Sequence, residues 1–600
     1  MTGLLSPSLP RAWGYGQMVD KWLVETDLNE DWNFYTRANV GEVFPDPVAP
    51  LTFGWVQDDA GIHAFERGFR GAYYRYGCLS PEEFPPDRAT ILATFGGYTY
   101  LNASAMRMIG HRAEGMSAQT VDDVFFGDAP GVPEFVEKPE YDRPDLTAKT
   151  GETMVWAITA SELPEVARHE AFVNSLRHDR PDIAGASNRR LVEHAMGLMN
   201  EHLEMLFEEH IFISAVATIP IGAITQICAA VGRPEATLRL LGGLGDVESA
   251  APSLVMWELG RVVATSDALA TLFDAGVAGL DARIRSSASE DAAAFAAAFD
   301  DFLVHYGSRG PNEWELRCPT WETDPDLALA AIDRMRLADD SASPIVQNSE
   351  SAAERERLGV EIAAMLEGDP GTQGVFLGAL QAATVFLPGR ERTKTNCVKL
   401  IEEARVALHE YGRRRVADGH FPELNSFGLL SHAELFDSLD HPERYGEILV
   451  ERHALYEEVA MLQEPFIVHG VVPDMAAYPR RDEVEYRTLA AGDVIQGMPG
   501  CPGSAVGTAR VILDTHDPTS LEPGDILIAP ITDPSWTPLF VPAAAIVVDV
   551  GAALSHAIIV SRELGNPCVV SATDATHRIP DGATVEVNGD TGTVTVLAVP

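Results

Sequence analysis

One stretch near the end of the chain constrains its fold more than any other. Residues 543–550 are an apolar run typical of a buried strand, and residues 551–554 supply a short turn. A helix is predicted from His556 until Gly565, a residue type that commonly ends helices. A second apolar strand follows at Cys568–Val570. The pattern predicts a strand-turn-helix-strand unit with a histidine at its first helical position.

This position gives His556 a chemical meaning that most of the 17 histidines lack. The first backbone N–H groups of a helix have no partner within it, and the helix dipole is positive there. A phosphoryl group on the imidazole would lie beside them, with Ser555 at the N-cap as a further phosphate ligand. A lone histidine at a helix start is more often structural. Whether His556 is functional therefore depends on the sequence pattern around it.

That pattern is long and specific. Residues 533–540 read D-P-S-W-T-P-L-F, and residues 551–570 read G-A-A-L-S-H-A-I-I-V-S-R-E-L-G-N-P-C-V-V. The two strings resemble the swivelling phosphohistidine domain of phosphoenolpyruvate-utilising enzymes, with Ala552 in place of a second glycine. The resemblance implies that His556 is the phosphorylated catalytic residue.

Composition excludes several classes of partner. The formal charge is −45 at pH 7, which disfavours nucleic acid and anionic membrane surfaces. The six cysteines lack C-x-x-C spacing, so neither a metal site nor a disulfide framework is predicted. The first 17 residues have no apolar segment of a secretory signal, and the expected location is cytoplasmic. Residues 211–232 carry no charge, but Pro220 interrupts them, and a buried helix pair is favoured over a membrane span.

The chain divides into two predicted domains. Residues 1–475 are expected to form a mainly α-helical acceptor-binding domain with some β structure at its start. Residues 476–493 are polar and unpatterned, as in a linker, and residues 494–600 form a compact α/β phosphohistidine domain.

The large N-terminal part has its own resemblance. Residues 32–52, the string Y-G-S-R-G-P-N-E at 306–313 with W-E-T-D-P at 321–325, and R-E-R-T-K at 390–394 are similar to the substrate-binding domain of rifampicin phosphotransferases. Neither a Walker-type loop nor the usual nucleotide-site lysines are found, so a separate ATP-grasp subunit is expected to hold ATP and Mg²⁺. The resemblance then favours the two-component phenylphosphate synthase and hydroxyphenylethanone kinase type.

For that type, the resemblance implies a dikinase reaction that passes a phosphoryl group from ATP through His556 to a small aromatic hydroxyl, releasing AMP and phosphate. Two alternatives remain open: a rifamycin-type antibiotic phosphotransferase component, and a non-catalytic phosphocarrier or regulatory protein.

A basic cluster stands out in this acidic chain. Arg390, Arg392, Lys394 and Lys399 surround one acid, Glu391. If a helix starts here, Arg390 and Lys394 share a face at i, i+4 and are predicted to clamp the transferring phosphoryl group. A solvated basic patch is the competing interpretation. Arg309, in a glycine-rich loop, is a second candidate.

The acceptor pocket is expected to be apolar, with few polar groups. The uncharged region supplies its predicted wall through Ile211, Ile213 and Ile219, with core packing as an equal alternative. His210 and His305 are candidates for a general base, and His305 is assigned to the substrate site.

Overall fold

A computed structural model describes residues 28, 31–56, 64–84, 91–113, 115–126, 131–244, 248, 251–340, 343–513, 521–551 and 555–600. The architecture confirms the predicted fold class: a mainly helical N-terminal part with some β structure, followed by an α/β domain. The predicted turn at 552–554 and the N-terminal 17 residues lie outside the described residues.

Two long helices organise the N-terminal part. We label the helices in chain order, and α8 (Asn188–Ala230) packs along α16 (Pro370–Ala417). Each contains an internal proline, Pro220 and Pro388, without ending there. Both helices bury long apolar faces, and burial of one Leu-sized side chain contributes about 1.5–3 kcal/mol, so packing outweighs the disruption by proline.

Shorter helices surround this pair. Their bounds are α1 Val40–Val43, α2 Pro50–Val56, α3 Ala64–Tyr76, α4 Ala103–Arg112, α5 Ala118–Phe125, α6 Pro144–Thr159, α7 Pro164–His178, α9 Ala236–Leu240, α10 Ala251–Thr265, α11 Asp267–Asp274, α12 Leu280–Ser286, α13 Glu290–Tyr306, α14 Pro325–Leu337, α15 Pro344–Met365, α17 His432–Asp440 and α18 Gly446–Ala460.

An antiparallel sheet closes the N-terminal part. Its strands are β1 (Phe34–Thr36), β2 (Leu92–Phe95), β3 (Tyr98–Asn102) and β4 (Ile467–His469), in the order β2-β3-β1-β4. Because β4 pairs with β1, the chain returns to its start before it enters the C-terminal domain.

The C-terminal domain is built on an eight-stranded mixed sheet of order β5-β12-β11-β7-β8-β9-β10-β6. Strands β7 to β10 are parallel. Helices α19 (Thr537–Phe540) and α20 (His556–Leu564) lie between them in sequence, and α21 (Ala575–Arg578) follows β10. The strands are β5 Val494–Gln496, β6 Met498–Cys501, β7 Ser504–Val511, β8 Ile526–Ala529, β9 Ala545–Val548, β10 Cys568–Val570, β11 Thr584–Asn588 and β12 Thr593–Ala598. The predicted strands around His556 and the terminal hairpin are therefore present.

The C-terminal domain is docked on the helical part. One continuous core joins apolar residues of α10 to α14 with those of α19 and α20. Polar contacts add to it: the backbone N–H of Asn312 donates to Asp533 at 3.0 Å, and that of Leu244 donates to Glu563 at 3.1 Å. In this arrangement His556 faces the helical part.

The connection between the domains is shorter than predicted. The backbone of Arg481 still bonds Met461, and that of Leu489 already bonds Arg578 of the C-terminal domain. Residues 482–488 thus form the tether, which spans at most about 25 Å when extended.

The uncharged run at 211–232 is not the expected helix pair, because most of it continues α8. Among the described helices, α8 is long and apolar enough to cross a membrane. Its packing against α3 and α16 is that of a core helix.

Candidate active site

His556 is held at the start of α20, as the sequence predicts. Ser555 has the extended backbone of an N-cap, and Gly565 ends the helix in the left-handed conformation, with φ of 72°. The buried face of α20, which includes Ile558 and Val560, fixes the helix against its surroundings. A rigid helix start therefore presents the imidazole ring.

Two threonines contact the imidazole ring of His556. The hydroxyl of Thr537 lies 3.0 Å from Nε2, and the hydroxyl of Thr532 lies 3.2 Å from Nδ1. The pKa of His556 is held well below its usual value, first by burial and then by Lys394 and Arg309. The ring is therefore neutral at physiological pH and carries the lone pair that a nucleophile needs.

The half-buried ring faces a cavity of about 240 Å³ that lies between the two domains. Its walls are mainly apolar and aromatic, and polar groups converge at one end. The apolar lining includes Val40, Phe44, Phe65, Phe69, Tyr73, Leu92, Met106, Phe125, Phe207, Ile211 and Trp314; the charged lining comprises Glu42, Arg390, Glu391, Lys394 and Asp533.

Arg390 and Lys394 both line this cavity, beside α8 and the phosphohistidine candidate. Arg390 donates to Glu391 at 2.7 Å, and the Lys394 ammonium lies 3.0 Å from a carboxylate oxygen of Glu313. The helix does not start at these residues, which lie inside α16. The i, i+4 spacing still places them together.

Arg309 does not line the cavity. It is buried behind Glu313, 3.1 Å from that carboxylate, and donates to Thr395 at 2.6 Å. Burial raises the pKa of Glu313, but Lys394 and Arg309 outweigh that effect and hold its pKa below the usual value. Arg309 is thus placed to fix Glu313, and through it Lys394, rather than to contact a phosphate.

The predicted substrate residues have separate locations. Ile211 lines the cavity, whereas Ile213 and Ile219 are buried in the core on other faces of the helix. The assignment of His305 is corrected: its side chain is 61% exposed at the end of α13, outside the cavity lining. The Ser555 hydroxyl is buried and has no hydrogen-bond partner among the described residues.

Several residues that line the cavity were not predicted from the sequence. Trp314 follows the string that resembles rifampicin phosphotransferases, and its buried indole N–H has no hydrogen-bond partner among the described residues. Ser214 on α8 likewise has a hydroxyl with no hydrogen-bond partner within the described part of the chain. Both residues line the cavity and offer polar groups to a bound molecule. The abundance of aromatic residues before residue 100 could have indicated the apolar wall of the cavity.

His210 lines the cavity near the basic pair. Burial lowers its pKa well below the usual value, and Arg390 and Lys394 lower it further. The described residues contain no group of three or more His, Cys, Asp or Glu side chains suited to hold a metal ion.

Comparison with known proteins agrees with this arrangement. Residues 210–391 match the rifampicin phosphotransferase fourth domain, and residues 521–592 match the mobile domain of PEP-utilising enzymes. A prodigiosin synthesizing transferase from Serratia marcescens is 30% identical over 371 residues, which cover 60% of this chain and 40% of the relative.

A rifampicin phosphotransferase from Streptomyces sviceus is 28% identical over 307 residues, covering 50% of this chain and 34% of the relative. An uncharacterized phosphotransferase, YvkC from Bacillus subtilis, is 27% identical over 310 residues, covering 50% of this chain and 36% of the relative. The chain thus spans well under half the length of these relatives.

The fold and site define a two-part protein in which a PEP-utilising mobile domain presents a histidine to a helical domain. In these two stretches, residues 210–391 and 521–592, the chain is similar to the rifampicin phosphotransferases and to PEP-utilising enzymes.

Proposed function

We propose that this protein transfers a phosphoryl group from His556 to the hydroxyl of a small aromatic acceptor. The observation that carries the proposal is the cavity itself. One enclosed space is bordered by the His556 ring, the cations Arg390 and Lys394, and an aromatic wall. The cations would offset negative charge on the phosphoryl group in the transition state, and the wall would hold the acceptor.

The size of the cavity favours a small acceptor over a rifamycin. Pockets for drug-sized ligands usually have roughly 300–1,000 Å³, and this cavity has about 240 Å³. A rifamycin macrocycle exceeds it, whereas a substituted phenol fits. Aromatic side chains such as Phe65, Phe207 and Trp314 would contact a phenol ring in offset or edge-to-face geometry.

The phosphoryl donor is proposed to be ATP, bound with Mg²⁺ by an ATP-grasp subunit outside this chain. In the docked arrangement His556 faces the acceptor cavity, so loading requires the C-terminal domain to leave it. That movement would break the Asn312–Asp533 and Leu244–Glu563 hydrogen bonds. The tether at 482–488 limits how far the C-terminal domain can move while the backbone contacts at its two ends, Arg481 with Met461 and Leu489 with Arg578, remain in place.

The proposal is tested with the purified chain, a separately purified ATP-grasp protein as the proposed partner, and ATP labelled at the β-phosphate. Label should appear on the chain as an acid-labile phosphohistidine and then move to added phenols. His556→Ala should abolish both steps, while His441→Ala, an exposed histidine elsewhere, should change neither. Turnover by the His556 variant would overturn the proposal.

The competing function is a phosphocarrier without a small-molecule acceptor. Label that reaches the wild-type chain but passes to none of a broad set of phenols would favour this carrier. The mainly apolar cavity beside His556 supports the transferase function, because a phosphocarrier needs no apolar pocket at its phosphorylation site.

A further inference from the structure

His210 has a hydrogen-bond pattern that fixes the position of its proton. Its Nδ1 lies 3.2 Å from the hydroxyl of Thr393, and that hydroxyl donates its own hydrogen to the carbonyl oxygen of Arg390 at 2.8 Å. The Thr393 oxygen therefore accepts from His210, and Nδ1 carries the ring proton. Nε2 is left with its lone pair.

The His210 ring borders the cavity that His556 faces. His210 is buried among Phe207 and Trp314, with ring centroids 6.2 and 5.8 Å away, yet it lines the cavity. The hydrogen-bond contacts of the ring among the described residues are with the Thr393 hydroxyl, at Nδ1, and with the backbone of Arg390. Burial and the cations Arg390 and Lys394 lower the pKa of His210, which keeps the ring unprotonated before the reaction.

We propose that His210 is the general base that takes the proton from the acceptor hydroxyl during phosphoryl transfer, an inference that rests on the proposed function. The acceptor oxygen forms the new P–O bond, and the P–N bond to His556 breaks. Its electron pair stays on the ring nitrogen, which takes up one proton from solvent. The acceptor proton moves to Nε2 of His210 and returns to solvent when the product leaves.

The carboxylates of the cavity are less suited to this role. Glu391 is paired with Arg390, and both oxygens of Asp533 accept hydrogen bonds, from Ser535 and from the backbone of Asn312. Glu42 also lines the cavity, and a Glu42→Gln variant tests it as the competing base.

The decisive experiment measures single-turnover transfer from chain already phosphorylated on His556. His210→Gln should load normally but transfer to phenol about 10²-fold more slowly or worse. With 4-nitrophenol at mildly alkaline pH, where this phenol is largely ionised, the loss should shrink to a few-fold because no proton needs removal. His202→Gln, on the same helix and outside the cavity, is the matched control.

Several outcomes would overturn the assignment. Equal losses with both phenols would show that His210 only shapes the cavity, and no loss would remove it from the reaction. A Glu42→Gln variant with the acceptor-dependent loss would transfer the role to Glu42. If loaded wild-type chain transfers to no phenol, the proposed function fails first.

Two further variants separate chemistry from folding. Imidazole added to His210→Ala should restore part of the transfer rate to phenol, which a structural defect would not allow. Thr393→Ser keeps the hydroxyl and should transfer nearly normally. Thr393→Val removes the acceptor of the Nδ1 proton and should lower the transfer rate while leaving the loading of His556 unchanged.

Discussion

The ammonium of Lys394 lies 3.0 Å from the carboxylate of Glu313, at the wall of the cavity that His556 faces. The carboxylate also contacts Arg309, so one acid holds two cations in place. This arrangement orients Lys394 before any phosphoryl group arrives, and such preorganisation is how fixed charges lower the barrier of group transfer.

Replacing Lys394 should separate loading from delivery. In Lys394→Ala, phosphorylation of His556 should proceed normally if, as proposed, it occurs at a nucleotide site outside this cavity. Transfer to the acceptor should slow by roughly 10²-fold or more, the usual cost of losing one preorganised charge. Single-turnover assays with loaded chain measure this. Lys399→Ala is the control, since Lys399 contacts Asn174 outside the cavity, and an equal loss in it would contradict the assignment.

Replacing Glu313 should affect stability as well as transfer. Glu313→Gln leaves the buried guanidinium of Arg309 and the Lys394 ammonium without their anion, and breaking such a buried pair costs about 3–5 kcal/mol. Urea unfolding measures the loss. In Glu410→Gln, which replaces an acid near the surface of α16 that bonds Arg413, the cost should stay near 1 kcal/mol or less. Similar values for the two variants would refute the buried-anion role.

Local signals allowed part of this structure to be predicted. The strand, N-cap and glycine signals around His556 act within a few residues, and the structure has these elements there. A helix start at Arg390 was one condition for the predicted shared face of Arg390 and Lys394, but α16 begins at Pro370 and continues through Pro388. Helical spacing still placed Lys394 beside Arg390.

The acceptor wall could not be predicted in the same way. Phe65, Phe207 and Trp314 come from separate elements and meet only through tertiary packing. His305 had the right chemistry for a base, but its side chain turns to solvent at the end of α13. Single-sequence patterns show which face of a helix is apolar, not which distant side chain completes a cavity.

Trp314 should contribute to acceptor choice through its unpartnered indole N–H. Trp314→Phe keeps an aromatic ring and removes the donor. Acceptors with a second oxygen, such as hydroxyphenyl ketones, should bind about 3- to 10-fold more weakly, whereas plain phenol should bind nearly as before. KM values for the two classes measure this. Trp257→Phe is the control, because Trp257 lies in the core that joins α10 to α14 with α19 and α20. Equal weakening of binding for both classes of acceptor would contradict a hydrogen-bonding role.

Asp549 should make the stability of the C-terminal domain depend on pH. Burial raises its pKa to about 7, while it accepts hydrogen bonds from the backbone and hydroxyl of Thr576. The folded state therefore binds an extra proton between about pH 4, the usual range of an unfolded Asp, and about pH 7. Stability from this group is complete below that window and is lost as the pH rises through it. Asp549→Asn removes the titration, so thermal unfolding of wild type and variant should converge below about pH 4 and diverge at pH 8 in favour of the variant. The difference should not exceed about 4 kcal/mol, at about 1.4 kcal/mol per pKa unit.

Asp581→Asn, on the surface of the same domain, should show no such divergence. A gap between wild type and Asp549→Asn that is equal at both pH values would exclude the raised pKa.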